Sequence, residues 1–183
     1  RAWLEEPLER GYLEISLVGD LEIERAIAPV GRTLGALPPR ASVKPALAER
    51  RVVAFPKGAK EKVLTYRSEI AKGAVALCWP GPDIWDIRRV RRLNVLMSIL
   101  DDRLRVKVRE EMGEAYSVGA VAIPSDTYRG YGVILAQAFA DPSRIQQVAR
   151  VMADIAATLH RGGVTGDELD RALRPTLEMI DKQ

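Results

Sequence analysis

Two residues have the types and the spacing to act together: Arg109 and Tyr116, seven positions apart on either side of Gly113. A guanidinium is a fixed planar fork that takes carbonyl or carboxylate oxygens. A phenol can donate one hydrogen bond to an oxyanion as it develops. Glycine tolerates left-handed backbone geometry, so a reversal at Gly113 can bring both side chains to one edge of a sheet. The spacing leaves a second arrangement open, in which Arg109 pairs with Glu110 or Glu114 while Tyr116 packs on the sheet.

Other chemistry has less support. His160 is the only histidine and Cys78 the only cysteine, so the sequence excludes an internal disulfide. It also carries no HExxH and no second histidine, which leaves no convincing zinc site made by this chain alone. His160 falls near the end of an amphipathic pattern, where an imidazole suits the carbonyl end of a helix. Cys78 sits in the apolar run Ala74–Trp79 and reads as a buried strand thiol. Ser98 and Ser117 lack the sharp turn of a nucleophile elbow. The glycines at Gly31, Gly35, Gly58, Gly73 and Gly81 fit neither a Walker loop nor a dinucleotide fingerprint.

The elements that must hold Arg109 and Tyr116 are a long helix and a strand. Leu93, Leu96, Leu100, Leu104 and Val108 recur at spacings of three and four, predicting a helix from Asp86 to Met112. After Gly113 the period becomes two: Tyr116, Val118, Ala120 and Ala122 alternate with Ser117, Gly119, Val121 and Ile123. Further strands are expected at Tyr12–Val18, Val52–Phe55, Ala74–Trp79 and Tyr131–Phe139. Lys60–Arg67 is open between strand and loop. Helices are expected over Leu21–Leu34 with Asp20 as its cap, and from Pro142, as first helical residue, to Arg161. A last helix follows Thr165, whose spacing to Glu168 is that of a capping box. The order predicts an α+β fold: an α/β sandwich with a mostly antiparallel sheet and helices packed on one face. Residues 1–10 read as an N-terminal arm and residues 11–183 as the domain proper.

At 183 residues with 47% hydrophobic side chains, the chain can bury an ordinary core. Its 28 basic and 25 acidic residues leave a formal charge of +3, a small and scattered excess that argues against nucleic acid as a partner. No apolar run is long enough to cross a bilayer. No signal peptide pattern is visible, but Arg1 rather than Met stands first, so secretion stays open.

Three motifs, in order, resemble one family. Arg103-Leu-Arg-Val-Lys-Val-Arg109-Glu-Glu-Met-Gly113-Glu-Ala-Tyr116-Ser-Val is similar to the RL…LRE..G.AYSV signature of the pitrilysin-type (M16, inverted-zincin) metallopeptidases. Leu17-Val-Gly-Asp20 followed by Leu34-Gly-Ala-Leu-Pro38 resembles that family's VGD…FG.LP segment. Gly162-Gly-Val-Thr-Gly-Asp-Glu-Leu169 resembles its G.T..EL ending. The likeness is to one complete non-catalytic repeat domain, most similar to the C-terminal domain of bacterial putative zinc proteases.

The resemblance implies a substrate-binding domain of a zinc-dependent endopeptidase that closes over an unfolded peptide. It implies that Arg109 holds a substrate backbone carbonyl and that Tyr116 steadies the tetrahedral intermediate. The zinc ligands of that family come from HxxEH and a distant glutamate in another domain. This chain would therefore be inactive alone and hold no cofactor. Its partner would be a zinc-bearing catalytic M16 domain, in the same longer chain or in another subunit. The alternative is a structural or assembly domain of an inactive relative, with no substrate role. A bacterial cytoplasm and a periplasm both fit. Many relatives have a glycine- and serine-rich break before the RL element. Ile99-Leu-Asp-Asp-Arg-Leu104 has none, so the long helix is expected to run through Asp101 and Asp102.

Overall fold

Residues 2–44, 46, 50, 52–113 and 115–181 are described by a computed structural model. The chain forms two units, Arg1–Arg51 and Val52–Gln183. In the first, helix α1 spans Ala2–Arg10 and helix α2 spans Ile23–Arg32, followed by a short 3₁₀ turn, Leu34–Ala36. Arg40 ties this unit together by donating from Nε to the Gly11 carbonyl at 2.9 Å and from Nη2 to that of Pro7 at 3.2 Å. Gly11 is required there, since a Cβ would stand 2.4 Å from the Pro7 oxygen. Helix α2 starts later than the sequence suggests. Its cap position is Glu22, which makes no side-chain capping bond, and Asp20 lies outside the helix.

The second unit holds the sheet. Strand β1 (Gly73–Pro80) leads to helix α3 (Ile87–Leu104), which runs through Asp101 and Asp102 and continues as a π-helical segment, Arg105–Glu111. Strands β2 (Ala115–Pro124) and β3 (Gly132–Ala140) form a hairpin, and helices α4 (Ile145–Gly162) and α5 (Gly166–Asp181) close the chain. The order is β1-β3-β2 and both pairings are antiparallel. Asp86 caps α3 by accepting the Arg89 amide at 3.0 Å. Thr165 and Glu168 make the expected capping box at the start of α5: the Thr165 amide donates to Glu168 at 2.8 Å, and the Glu168 amide donates back to Thr165 at 3.3 Å. Helix α4 starts three residues later than its proline suggests. Asp141 takes the Ser143 amide and hydroxyl instead, which holds 142–144 as a turn.

The core lies between the sheet and the helices. Leu104, Val108, Val148 and Met152 are fully buried there, over Ala136, Ala138 and Ala140 of the central strand. Alanines on that strand let helices approach where larger side chains would hold them off. Gly73 serves the same end, since a Cβ on it would meet Ile145 at the start of α4. The other face of the sheet is uncovered within this unit. Burial alternates along β1, with Val75, Leu77 and Trp79 inward and Ala76 and Cys78 outward. Cys78 is therefore exposed, not buried. An apolar run shows that a strand forms, but not that both of its faces are covered.

Two expected strands do not form, and the stretch left open between strand and loop is not a strand. Tyr12–Val18, Val52–Phe55 and the open stretch Lys60–Arg67 hold no β-ladder. Alternation tells which way side chains point, but a strand also needs a neighbour to take its backbone groups. Tyr12–Val18 belongs to the first unit, where no strand forms among the described residues, and Leu13, Ile15 and Leu17 stay exposed.

Candidate functional site

Both predicted site residues fall on backbone irregularities. Arg109 lies in the π segment, where the Met112 amide reaches back five residues to the Lys107 carbonyl at 3.2 Å. Single π turns inside α-helices are frequent at functional sites. The helix then stops at Gly113, whose φ is +64°. Tyr116 is the next irregular position. Ala115 pairs with Ala140 and Ser117 with Phe139, so Tyr116 is an extra residue with no partner, a β-bulge. Bulges re-aim a side chain and cluster near active sites. The Tyr116 side chain lies outside the described residues, as does Glu114.

The π segment decides where the charges go. Arg105 pairs with Asp102 at 2.6 Å and also engages Glu110, five residues on, which a wider helical turn brings to the same face. Lys107 pairs with Glu111 at 2.6 Å. The Asp102 hydrogen bond, followed by the Glu110 charge, raises the Arg105 pKa. Glu110 is thus committed to Arg105, which removes one of the two acids that could have taken Arg109. Arg109 itself is exposed, and among the described residues no carboxylate lies in ion-pair range of it. Its backbone and that of Tyr116 both lie at the end of the sheet where β2 begins.

Asp101 and Arg103 fasten α3 to its neighbours, through contacts that the sequence does not announce. Asp101 Oδ1 accepts the Ala120 amide at 2.9 Å, which fastens α3 to strand β2. Gly119 allows this, since a Cβ there would come within 3.1 Å of the same oxygen. Arg103 grips Glu168 and also donates to the Gly163 carbonyl at 3.0 Å, so α5 is locked onto α3. His160 is exposed in the last turn of α4. Among the described residues no three His, Cys, Asp or Glu side chains converge on a point where a metal could sit. Among them, too, no helix is long and apolar enough to cross a membrane.

Residues 1–175 match the family described as peptidase M16 inactive domain. No curated protein matches the chain. Among solved structures it is similar to the periplasmic protease PqqL from Escherichia coli, with a TM-score of 0.60 and 19% identity over 91% of this chain and 18% of that one. A conserved protein from Enterococcus faecalis V583 gives a TM-score of 0.60 and 21% identity, over 88% of this chain and 36% of that one. A peptidase M16 inactive domain from Pseudomonas fluorescens gives 0.52 and 21%, over 87% and 37%. At these identities the structures establish the fold alone, and this chain spans well under half the length of each. The single histidine is consistent with a domain that does no catalysis itself, because HxxEH needs two. This chain belongs to the M16 inactive-domain family of the pitrilysin-type peptidases.

Proposed function

We propose that this chain is the substrate-binding, non-catalytic domain of a zinc-dependent endopeptidase. Its residues 11–183 supply the domain and residues 1–10 an arm. It closes over an unfolded peptide held against a zinc-bearing M16 domain, in the same longer chain or in a partner subunit. Arg109 holds a backbone carbonyl of the peptide, and Tyr116 donates to the oxyanion as it forms. Zinc in the partner domain supplies a polarised carbonyl and an activated water.

The observation that carries this reading is that Arg109 has no carboxylate partner among the described residues. An arginine kept only for the fold would be expected to pair with Glu110 or Glu114. The π segment instead gives Glu110 to Arg105 and leaves the Arg109 fork exposed beside the start of β2. A planar fork at the end of a strand is suited to the carbonyl of an extended peptide.

Peptide binding tests this. An unfolded, fluorescently labelled peptide is titrated into the chain joined with its zinc-bearing catalytic domain, with the metal removed to stop turnover. Arg109→Ala should weaken binding roughly tenfold, the loss of one charge-assisted contact. Tyr116→Phe should leave it nearly unchanged. Unaltered affinity in a folded Arg109→Ala protein would favour a purely structural or assembly role.

A further inference from the structure

The end of the sheet away from Arg109 carries a second group of side chains. Strand β2 places the two ends about 30 Å apart. At this far end Asp83 joins two loops: Oδ1 accepts the Trp85 amide at 3.0 Å and Oδ2 accepts the Gly130 amide at 2.7 Å. The Gly130 hydrogen bond in particular holds the Asp83 carboxyl below its ordinary pKa. The clamp presents Trp85, 55% exposed, with the Arg129 guanidinium 4.2 Å from its ring centre. Ile87, 56% exposed, opens α3 two residues further on.

Helix α3 then carries Arg88, Arg89, Arg91 and Arg92, all exposed. Val90 and Met97 face the core, and the spacing puts Arg88, Arg91 and Arg92 together on the opposite side. Cations in the first turns oppose the helix dipole, and like charges three and four residues apart repel. The further half of the same helix and its π extension avoid this cost. Arg103, Arg105 and Lys107 each have a carboxylate, on Glu168, on Asp102 and Glu110, and on Glu111. Among the described residues Arg88, Arg91 and Arg92 have none. The two neighbouring acids are engaged with backbone amides, Asp86 with Arg89 and Asp83 with Trp85 and Gly130.

An uncompensated cluster of this kind is complementary to an external anion. We infer that this end of the domain docks an acidic polypeptide segment, with carboxylates on Arg88, Arg91 and Arg92 and an apolar side chain against Trp85 and Ile87. Arginine and tryptophan side by side are the residues most enriched at protein–protein hot spots. The four arginines span only about 6 Å of helix axis, room for neighbouring carboxylates but not for a run of phosphates. One face of the Trp85 ring is already covered by Arg129, which leaves a single face for a partner's side chain. This inference does not depend on the protease reading.

The test is fluorescence anisotropy of the intact chain with a labelled glutamate-rich peptide carrying one central leucine, at low salt. The triple variant Arg88→Gln, Arg91→Gln, Arg92→Gln should weaken binding roughly tenfold or more. Trp85→Ala, which removes no charge, should weaken it several-fold. A control removes the same charge elsewhere, through Lys57→Gln, Lys60→Gln and Lys62→Gln, all exposed; it should leave binding almost unchanged. Equal loss in both triple variants would reduce the effect to general attraction and overturn the inference. So would the absence of peptide binding, or tighter binding of a single-stranded oligonucleotide of matched charge that the arginine variants abolish.

Discussion

Arg103 and Glu168 meet fork to fork across the α3–α5 contact, with Nε to Oε1 at 2.6 Å and Nη2 to Oε2 at 2.9 Å. The pair is mostly shielded from water, with side-chain exposures of 23% and 16%. Glu168 has two tasks, because it also completes the cap with Thr165. A bidentate, partly buried pair is the geometry in which an ion pair contributes to stability; an exposed one contributes little.

A double-mutant cycle on Arg103→Ala and Glu168→Ala should give a coupling of about 1 kcal/mol in urea unfolding. Coupling near zero would mean that the helices are held by their apolar contacts alone.

The same carboxylate sets a pH dependence. The Arg103 hydrogen bond, with the Thr165 amide, lowers the Glu168 pKa from 4.5 to about 2. A group whose pKa is lower when folded stabilises the fold above its unfolded value and loses that contribution as pH falls toward the folded value. Stability should therefore drop between about pH 5 and pH 2. Glu168→Gln should flatten that part of the curve, and urea midpoints across the acid range would show it. A curve of unchanged shape would place the acid sensitivity on other carboxylates.

Leu104 is fully buried where α3 passes into the π segment. Leu104→Ala should cost about 3 kcal/mol through lost burial and the cavity left behind. Chemical denaturation measures this directly, and a cost below about 1 kcal/mol would show that the junction collapses to fill the space.

At Gly113 an added Cβ would meet nothing within 4 Å, so only the backbone opposes it. Gly113→Ala should cost about 1 kcal/mol from the φ of +64°. A thermal melt equal to the parent's would show that this reversal does not depend on left-handed geometry.

The three helices and the three paired strands of the second unit were legible because each has a clean period and a stop signal, whereas α1 was read as an arm. Leu93 through Val108 repeat at helical spacing, Gly113 and Gly163 have the positive φ expected of helix ends, and Thr165 and Glu168 form their box. The family was legible in the run from Arg103 to Val118. Partners were not. Tyr12–Val18 alternates, but periodicity cannot supply a neighbouring strand. Cys78 looks buried because an apolar run does not say which face is covered.

The finer site features were hidden for a related reason. A π turn shifts register by one residue, so Arg105 meets Glu110, five positions on, in addition to Asp102 at the usual spacing. Nothing in the composition of Arg105–Glu111 announces this. Asp101 reaches the Ala120 amide, and Asp83 the Gly130 amide, across 19 and 47 positions of sequence. Such contacts depend on the assembled fold. The cluster of Arg88, Arg91 and Arg92 was missed because a charge total does not show which arginines lack acidic partners.

The central claim is that Arg109 and Tyr116 handle substrate in different ways. The most direct measurement is steady-state peptide hydrolysis by the zinc-loaded assembly containing this domain, with a thermal melt of each variant. Tyr116→Phe should lower kcat about 100-fold and leave KM close to the parent value, because an oxyanion donor acts only in the transition state. Arg109→Ala should lower kcat and raise KM, since it also holds the peptide before reaction. Both variants should melt with the parent. Normal turnover in a folded Tyr116→Phe assembly, or a large melting loss in both variants, would contradict the account.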